Sequence, residues 1–170
     1  MWVFDATPLI YLAKADALTL ARVLDGRRVV PEPVYEEVVE AGIREGYPDA
    51  RRIERAVDDG SFEVVGADEG STTERLRRDP NLSGADVAVL ALAYAHDGTA
   101  VMDETHGRTV ASIEGIPTRG TAYVVLLAAT EGEVGVADAR TVIDRMIEEG
   151  WYCAPNVYAR IVRKLESIEP

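Results

Sequence analysis

The 170 residues carry a net charge of −12, from 30 acidic and 18 basic side chains, and 47% of them are apolar. That length suits one domain with a sizeable core, and no uninterrupted apolar run could span a bilayer, which excludes a helical membrane protein. The acidity excludes a broad basic face, so any contact with nucleic-acid phosphate has to come from a local arginine cluster.

Residues 2–5 form a short buried strand, and Thr7-Pro8 opens a helix with Leu9, Leu12 and Ala13 as its stripe. A second helical segment covers about residues 17–24, and Arg28-Val29-Val30 is the second strand. Pro31 and Pro33 start a helix through about Ala41, with Val34, Val38 and Ala41 on one face. Residues 44–60 read as another amphipathic helix, and Phe62-Glu63-Val64-Val65 as the third strand. The charged stretch 68–81, with Arg75, Arg77 and Arg78, is a helix and a loop ended by Pro80.

Ser83 then caps a nearly all-apolar helix to about Ala95, and a helix apolar on every side belongs in the core. Strand 99–103 and a helix at about 105–114 follow, then Ile116-Pro117-Thr118 as an edge strand, where Pro is tolerated. From Gly120 the chain is all-helical, at roughly 121–131, 136–149 and 155–168. Alternating strands and helices mean an α/β class with a mainly parallel sheet. No repeat or linker divides the chain, so residues 1–170 read as one domain.

Lys14 and Lys164 are the only lysines among the 18 basic residues. Acid-rich, lysine-poor composition suits a halophilic protein, since strong salt screens its self-repulsion; a genome that favours Arg codons is the alternative. Cys153 is the single cysteine and has no disulfide partner within the chain. The N-terminus shows no basic region followed by an apolar stretch and a cleavage site, so a reducing cytoplasm is expected.

Four acids lie where strands end or helices begin. Asp5 follows the first strand, Glu37 lies on the helix after the second, Asp86 opens the apolar helix, and Asp103 follows strand 99–103 with Glu104 next to it. Each has an ordinary explanation. Asp5 and Asp103 suit helix caps, Ser83-x-x-Asp86 reads as a capping box, and Glu37 suits a solvated helix face. At roughly 100° per residue, however, Glu37 lies about 60° from the Val34–Val38 stripe and Glu36 about 160° away. Thr7 is the more natural cap of the first helix, which frees Asp5. One cap after strand 99–103 needs only one of Asp103 and Glu104.

In an α/β sheet, acids at the carboxyl ends of the strands meet in one crevice. Clustered carboxylates repel unless a cation sits among them, and oxygen donors without a Cys or His pair suit Mg²⁺ or Mn²⁺ rather than zinc. His96 and His106 are unpaired in sequence and read as surface or supporting residues. No G-x-G-x-x-G, G-x-x-x-x-G-K-[ST] or G-x-S-x-G pattern is present.

The chain resembles the PIN-domain family of metal-dependent nucleases. The resemblance lies in Val3-Phe4-Asp5-Ala6-Thr7-Pro8-Leu9-Ile10, Val30-Pro31-Glu32-Pro33-Val34-Tyr35-Glu36-Glu37-Val38, Leu82-Ser83-Gly84-Ala85-Asp86 and Val101-Met102-Asp103-Glu104 with Gly107-Arg108. Gly115-Ile116-Pro117, Arg119-Gly120-Thr121 and Gly150-Trp151-Tyr152 extend it over nearly the whole chain. No single motif is specific; their order is. It looks like the branch of VapC-like toxin ribonucleases with a helical C-terminal extension, here residues 120–170 after an α/β core of 1–119.

The resemblance implies a three-layer fold with about five parallel strands. It implies that Asp5, Glu37, Asp86 and Asp103 hold one or two Mg²⁺ or Mn²⁺ ions, with Glu104 as auxiliary ligand and Thr7 orienting Asp5. Asp86 stands where this branch often has Glu, and Glu104 where Asp is frequent; both keep the charge and change the reach.

The activity implied is endoribonuclease cleavage of RNA, with Arg108 and Arg119 as phosphate contacts and the Arg75–Arg78 cluster as a weaker one. An antitoxin partner and a homodimer are common in such proteins. Trp151, Tyr152 and Tyr158 are either a dimer seam or core. A PIN-like module that binds RNA or a protein without cutting is the second reading, and metal occupancy separates the two. Phosphoryl transfer of the receiver or haloacid-dehalogenase type is opposed by Thr7, where a second Asp would stand, and by the absence of a strand-end lysine.

Overall fold

The computed structural model describes residues 1–168; the expected domain limit at 170 lies outside them. Five parallel strands form one sheet in the order β3-β2-β1-β4-β5. They are β1 (Trp2–Phe4), β2 (Arg28–Pro31), β3 (Glu63–Val65), β4 (Thr99–Val101) and β5 (Thr118–Arg119). The strands are short because each is bounded within a few residues by a helix or a turn. β1 is central, and its Val3 and Phe4 are fully buried, as expected for a strand covered on both faces.

Helices flank the sheet, as the alternation predicts. α1 is Ala6–Lys14, and the expected second helical segment is a 3-10 helix at Leu18–Val23. The helix after β2 is α2 (Glu32–Tyr35), a π-helical stretch (Glu36–Ala41) and α3 (Gly42–Arg44). α4 is Pro48–Asp58, so residues 44–47 are a helix end and a turn rather than a helix start; Pro48 sets the first turn. α5 is Ser71–Arg77, α6 Gly84–Ala95 and α7 Thr105–Ile113. α8 (Thr121–Thr130), α9 (Val136–Glu148) and α10 (Pro155–Glu166) complete the chain within a few residues of expectation.

α6 packs against β1, β2 and β4, with α2 and α5 beside it. Val87 to Ala93 are all buried there, because a helix apolar on every side gains most between sheet and helices. α1 packs against α4, α8 and α9, so the C-terminal helices close over the first helix. Phe4 meets Phe62 edge-on, with ring centroids 5.0 Å apart. Burying one such side chain contributes roughly 1.5–3 kcal/mol.

Strand order positions the site. The chain runs from β1 outward to β3, then crosses back to lay β4 on the other side of β1. The switch point is therefore between β1 and β4, where a doubly wound sheet opens a crevice at the strand ends. Phe4 is in register with Val101, so the residues following these two strands emerge side by side.

Candidate functional site

Asp5 leaves β1 at that switch point, its N–H bonded to the Val101 carbonyl at 3.0 Å. It occupies the N-cap position of α1 but makes no side-chain cap bond. Thr7 is inside the helix and Pro8 is its third residue, two positions further in than expected. Nothing is lost by this, since the first four N–H groups of a helix have no intrahelical acceptor.

Asp5 is 6% exposed. Burial raises its pKa from an ordinary 3.8 to about 7; the Ala6 N–H opposes the rise, and the charges of Asp86, Glu37 and Asp103 add to it. These are the other three acids singled out in the sequence, and the fold brings them within electrostatic reach of one carboxyl group. No fully enclosed polar side-chain atom among the described residues lacks a partner. The Asp5 oxygens make no side-chain cap bond and are therefore not fully enclosed.

Asp103 is held more tightly than any of them. The Thr121 N–H donates to Oδ1 at 2.7 Å, and the Thr121 hydroxyl to Oδ2 at 2.6 Å. The indole N–H of Trp151 donates to Oδ2 at 3.0 Å. Gly120 passes so close that a Cβ there would stand 2.9 Å from Asp103 Oδ1 and 3.3 Å from Arg108 Nη1. A side chain at this position would have to displace the carboxylate that Thr121 holds. Sequence reasoning assigned no role to Thr121 and left Trp151 between core and dimer seam. It is core, 7% exposed, whereas Tyr152 is 86% exposed. Tyr158 is half-buried and donates to Asp144 at 2.7 Å.

Asp86 forms the full capping box: its Oδ2 accepts from the Ser83 N–H at 2.9 Å, and Ser83 Oγ accepts from the Asp86 N–H at 3.0 Å. That engages one carboxylate oxygen and leaves the other. Glu37 is exposed and sits on the π-helical stretch. Its direction cannot be taken from a 100° step, because a π turn is wider; such turns recur at functional sites.

Glu104 goes elsewhere. Its two oxygens accept from the N–H groups of His106 and Gly107, at 3.2 and 2.8 Å, and cap α7. One acid after β4 caps α7; the other, Asp103, is bonded to Thr121 and Trp151 and lines the groove beside Arg108. His106 supports the neighbouring loop: its Nε2 lies 2.8 Å from Asp79 Oδ2.

The arginines separate as well. Arg108 borders an open groove of about 510 Å³ with Asp103, Thr105, Thr109 and Ser112. Arg119 instead lies over the Tyr123 ring, 5.1 Å from its centroid, and that ring packs near Trp2 at the start of β1. This contact draws Arg119 away from the strand ends. Arg75 is paired with Glu114 and Arg77 with Glu69.

A PIN-domain family model (DUF3368) matches residues 1–167. The chain belongs to the PIN-domain family. No curated protein matches it. PIN domains are in general nucleases, and this PIN domain has the corresponding fold of five parallel strands flanked by helices.

Among the described residues, no three His, Cys, Asp or Glu side chains form a ready-made cage for an ion. The donor chemistry nevertheless fits a hard divalent cation: four carboxylates, one of them buried, and no thiolate. Cys153 lies near Asp103, but burial first and the Asp103 charge second push its thiol pKa up, which opposes a role as a soft ligand. Among the described residues no helix is long and apolar enough to cross a membrane.

Proposed function

We propose that this PIN domain is a Mg²⁺- or Mn²⁺-dependent endoribonuclease of the VapC-like branch, with Asp5, Glu37, Asp86 and Asp103 as its acidic centre. The observation that carries the reading is the buried Asp5 carboxyl group at the β1–β4 switch point, where the charges of Glu37, Asp86 and Asp103 all reach it. A buried carboxyl group facing three carboxylates stays charged at little cost only beside a cation.

The bound ion would supply Lewis acidity toward a scissile phosphate and toward water. Asp5 and Asp103 are the anchoring ligands, one buried and the other fixed by three donors. In the hydrolysis, a water oxygen bonds to phosphorus as the bond to the leaving ribose oxygen breaks. Asp86 or Glu37 accepts the water's proton, and a proton from solvent neutralises the leaving oxygen. Arg108 faces the groove beside Asp103 and holds a phosphate of the RNA; Arg119 is the weaker choice on its geometry. Glu104 supports α7 rather than the ion.

In this reading residues 1–119 are the core and 120–170 the extension of one domain. The protein is a cytoplasmic, halophilic toxin, paired with an antitoxin and assembled as a homodimer. A second reading, a PIN-like module that binds RNA or protein without cutting, is favoured by the engagement of Asp86 and Asp103 in hydrogen bonds and by the lack of a preformed cage.

Labelled single-stranded and structured RNA, incubated at high KCl with Mg²⁺, Mn²⁺ or EDTA, decides between them. Cutting that needs the ion and disappears in Asp5→Asn supports the nuclease. Folded protein that fails to cut with either ion, at every salt concentration, supports the binding module.

A further inference from the structure

The turn between α9 and α10 reaches the acidic crevice. Gly150 adopts φ +106°, a conformation that L side chains rarely take, and this turns the chain inward after α9. The Trp151 N–H then bonds to the Met146 carbonyl at 2.9 Å, and the indole enters the core. A buried indole N–H requires an acceptor. Many carbonyls at helix ends could have supplied one, yet the acceptor is Asp103 Oδ2, 48 residues earlier in the chain.

A carboxylate has about four lone-pair sites. Thr121 takes one on each oxygen of Asp103, and Trp151 takes the second on Oδ2. One site remains, on Oδ1, the oxygen beside Gly120 and Arg108. With Thr121 alone the carboxylate could still offer either oxygen. The indole removes that choice.

We propose that Trp151 is a positioning residue of the metal centre: its indole N–H closes Oδ2 of Asp103, so that only Oδ1 is presented to a divalent ion. The proposal rests on the metal-centre reading of the four acids. It makes the C-terminal helices part of the site, because the residue that completes the orientation of Asp103 lies between α9 and α10.

The test uses Mn²⁺ alone, without RNA. The chain has two tryptophans, so a ¹⁵N spectrum shows two indole N–H signals. The Trp2 indole is bonded to the Asp25 carbonyl at 2.9 Å, at the start of β1, and serves as the internal control. Substoichiometric Mn²⁺ should broaden the Trp151 signal more strongly than that of Trp2; Trp2→Phe assigns the two.

Calorimetry then compares the wild type with Trp151→Phe, which keeps an aromatic ring and loses the donor. Mn²⁺ affinity should fall about tenfold or more, the effect typical of groups that orient a metal ligand. Cleavage by the variant should recover as Mn²⁺ is raised. Unchanged Mn²⁺ affinity in folded Trp151→Phe, or equal broadening of both indoles, overturns the proposal alone. No Mn²⁺ binding by the wild type overturns the metal-centre reading as well. If Trp151→Phe fails to fold, the wild-type spectrum still decides.

Discussion

Thr121 grips Asp103 with both its backbone and its side chain: the N–H on Oδ1 at 2.7 Å and the hydroxyl on Oδ2 at 2.6 Å. Thr121 is fully buried and is the first residue of α8, so the start of that helix is fastened to the end of β4. Thr121→Val keeps the N–H bond and the shape but loses the hydroxyl, leaving a buried oxygen short of one donor. We expect a loss of about 1–3 kcal/mol in stability and a larger fall in Mn²⁺-dependent cleavage than in folded fraction. Thr121→Ser should recover most of both. Denaturant titrations beside RNA cleavage would show it, and a Ser variant no better than Val would argue against the hydroxyl's role.

Asp5 makes stability depend on pH in an unusual direction. Folded, it keeps its proton up to about pH 7; unfolded, it releases it near 3.8. Between those values the folded state binds more protons, so without divalent ions stability falls as pH rises through this window and levels off above it. The whole effect is about 4 kcal/mol. Asp5→Asn should remove it, raising the melting temperature at pH 8 in EDTA while abolishing cleavage. Melting curves from pH 4 to pH 8, wild type against variant, measure the difference. A variant less stable than wild type at pH 8 would contradict the account.

Glu104 tests the division of labour after β4. As a cap, its replacement by Ala should cost about 1 kcal/mol and leave cleavage and Mn²⁺ affinity within a few-fold of wild type. Glu104→Gln should retain part of the capping. A loss of cleavage exceeding a hundredfold in a folded Glu104→Ala protein would make Glu104 a ligand after all.

Arg108 and Arg119 should behave differently. Arg108→Ala removes a phosphate contact, so RNA affinity should fall and the slope of log affinity against log salt should shrink by about one. Arg119→Ala removes the cation from the Tyr123 ring, worth about 0.5–1 kcal/mol, with little effect on RNA. Filter binding of catalytically silenced Asp5→Asn protein across a KCl series separates the two; equal salt slopes for both variants would reverse the assignment.

Much of the architecture is legible in local pattern. The apolar run Val87–Ala93 announces a central helix, and the short, mostly apolar stretches at residues 2–4, 28–31 and 99–101 announce buried parallel strands. Less legible was the helix after β2. A 3.6-residue period accounts for Val34 and Val38 but not for the burial of Val39, which a π turn brings inward. A period read from sequence assumes one helix type.

The acids show the same boundary. Asp5, Glu37, Asp86 and Asp103 can be selected from sequence because each follows a strand or opens a helix, and strand ends converge in an α/β sheet. Sequence alone could not say which of Asp103 and Glu104 caps α7, since both suit it chemically; hydrogen-bond geometry decides for Glu104. Nor could it pair Trp151 with Asp103. No local period or capping rule links residues 48 apart, and only the packing of the C-terminal helices on the core carries that indole to the end of β4. Sequence therefore determined the class of fold and the candidate acids, through hydrophobic periodicity and the chemistry of strand ends. The tertiary structure decided which oxygens of those acids are engaged and which remain open to a ligand, because hydrogen bonds between distant segments exist only once the core has closed.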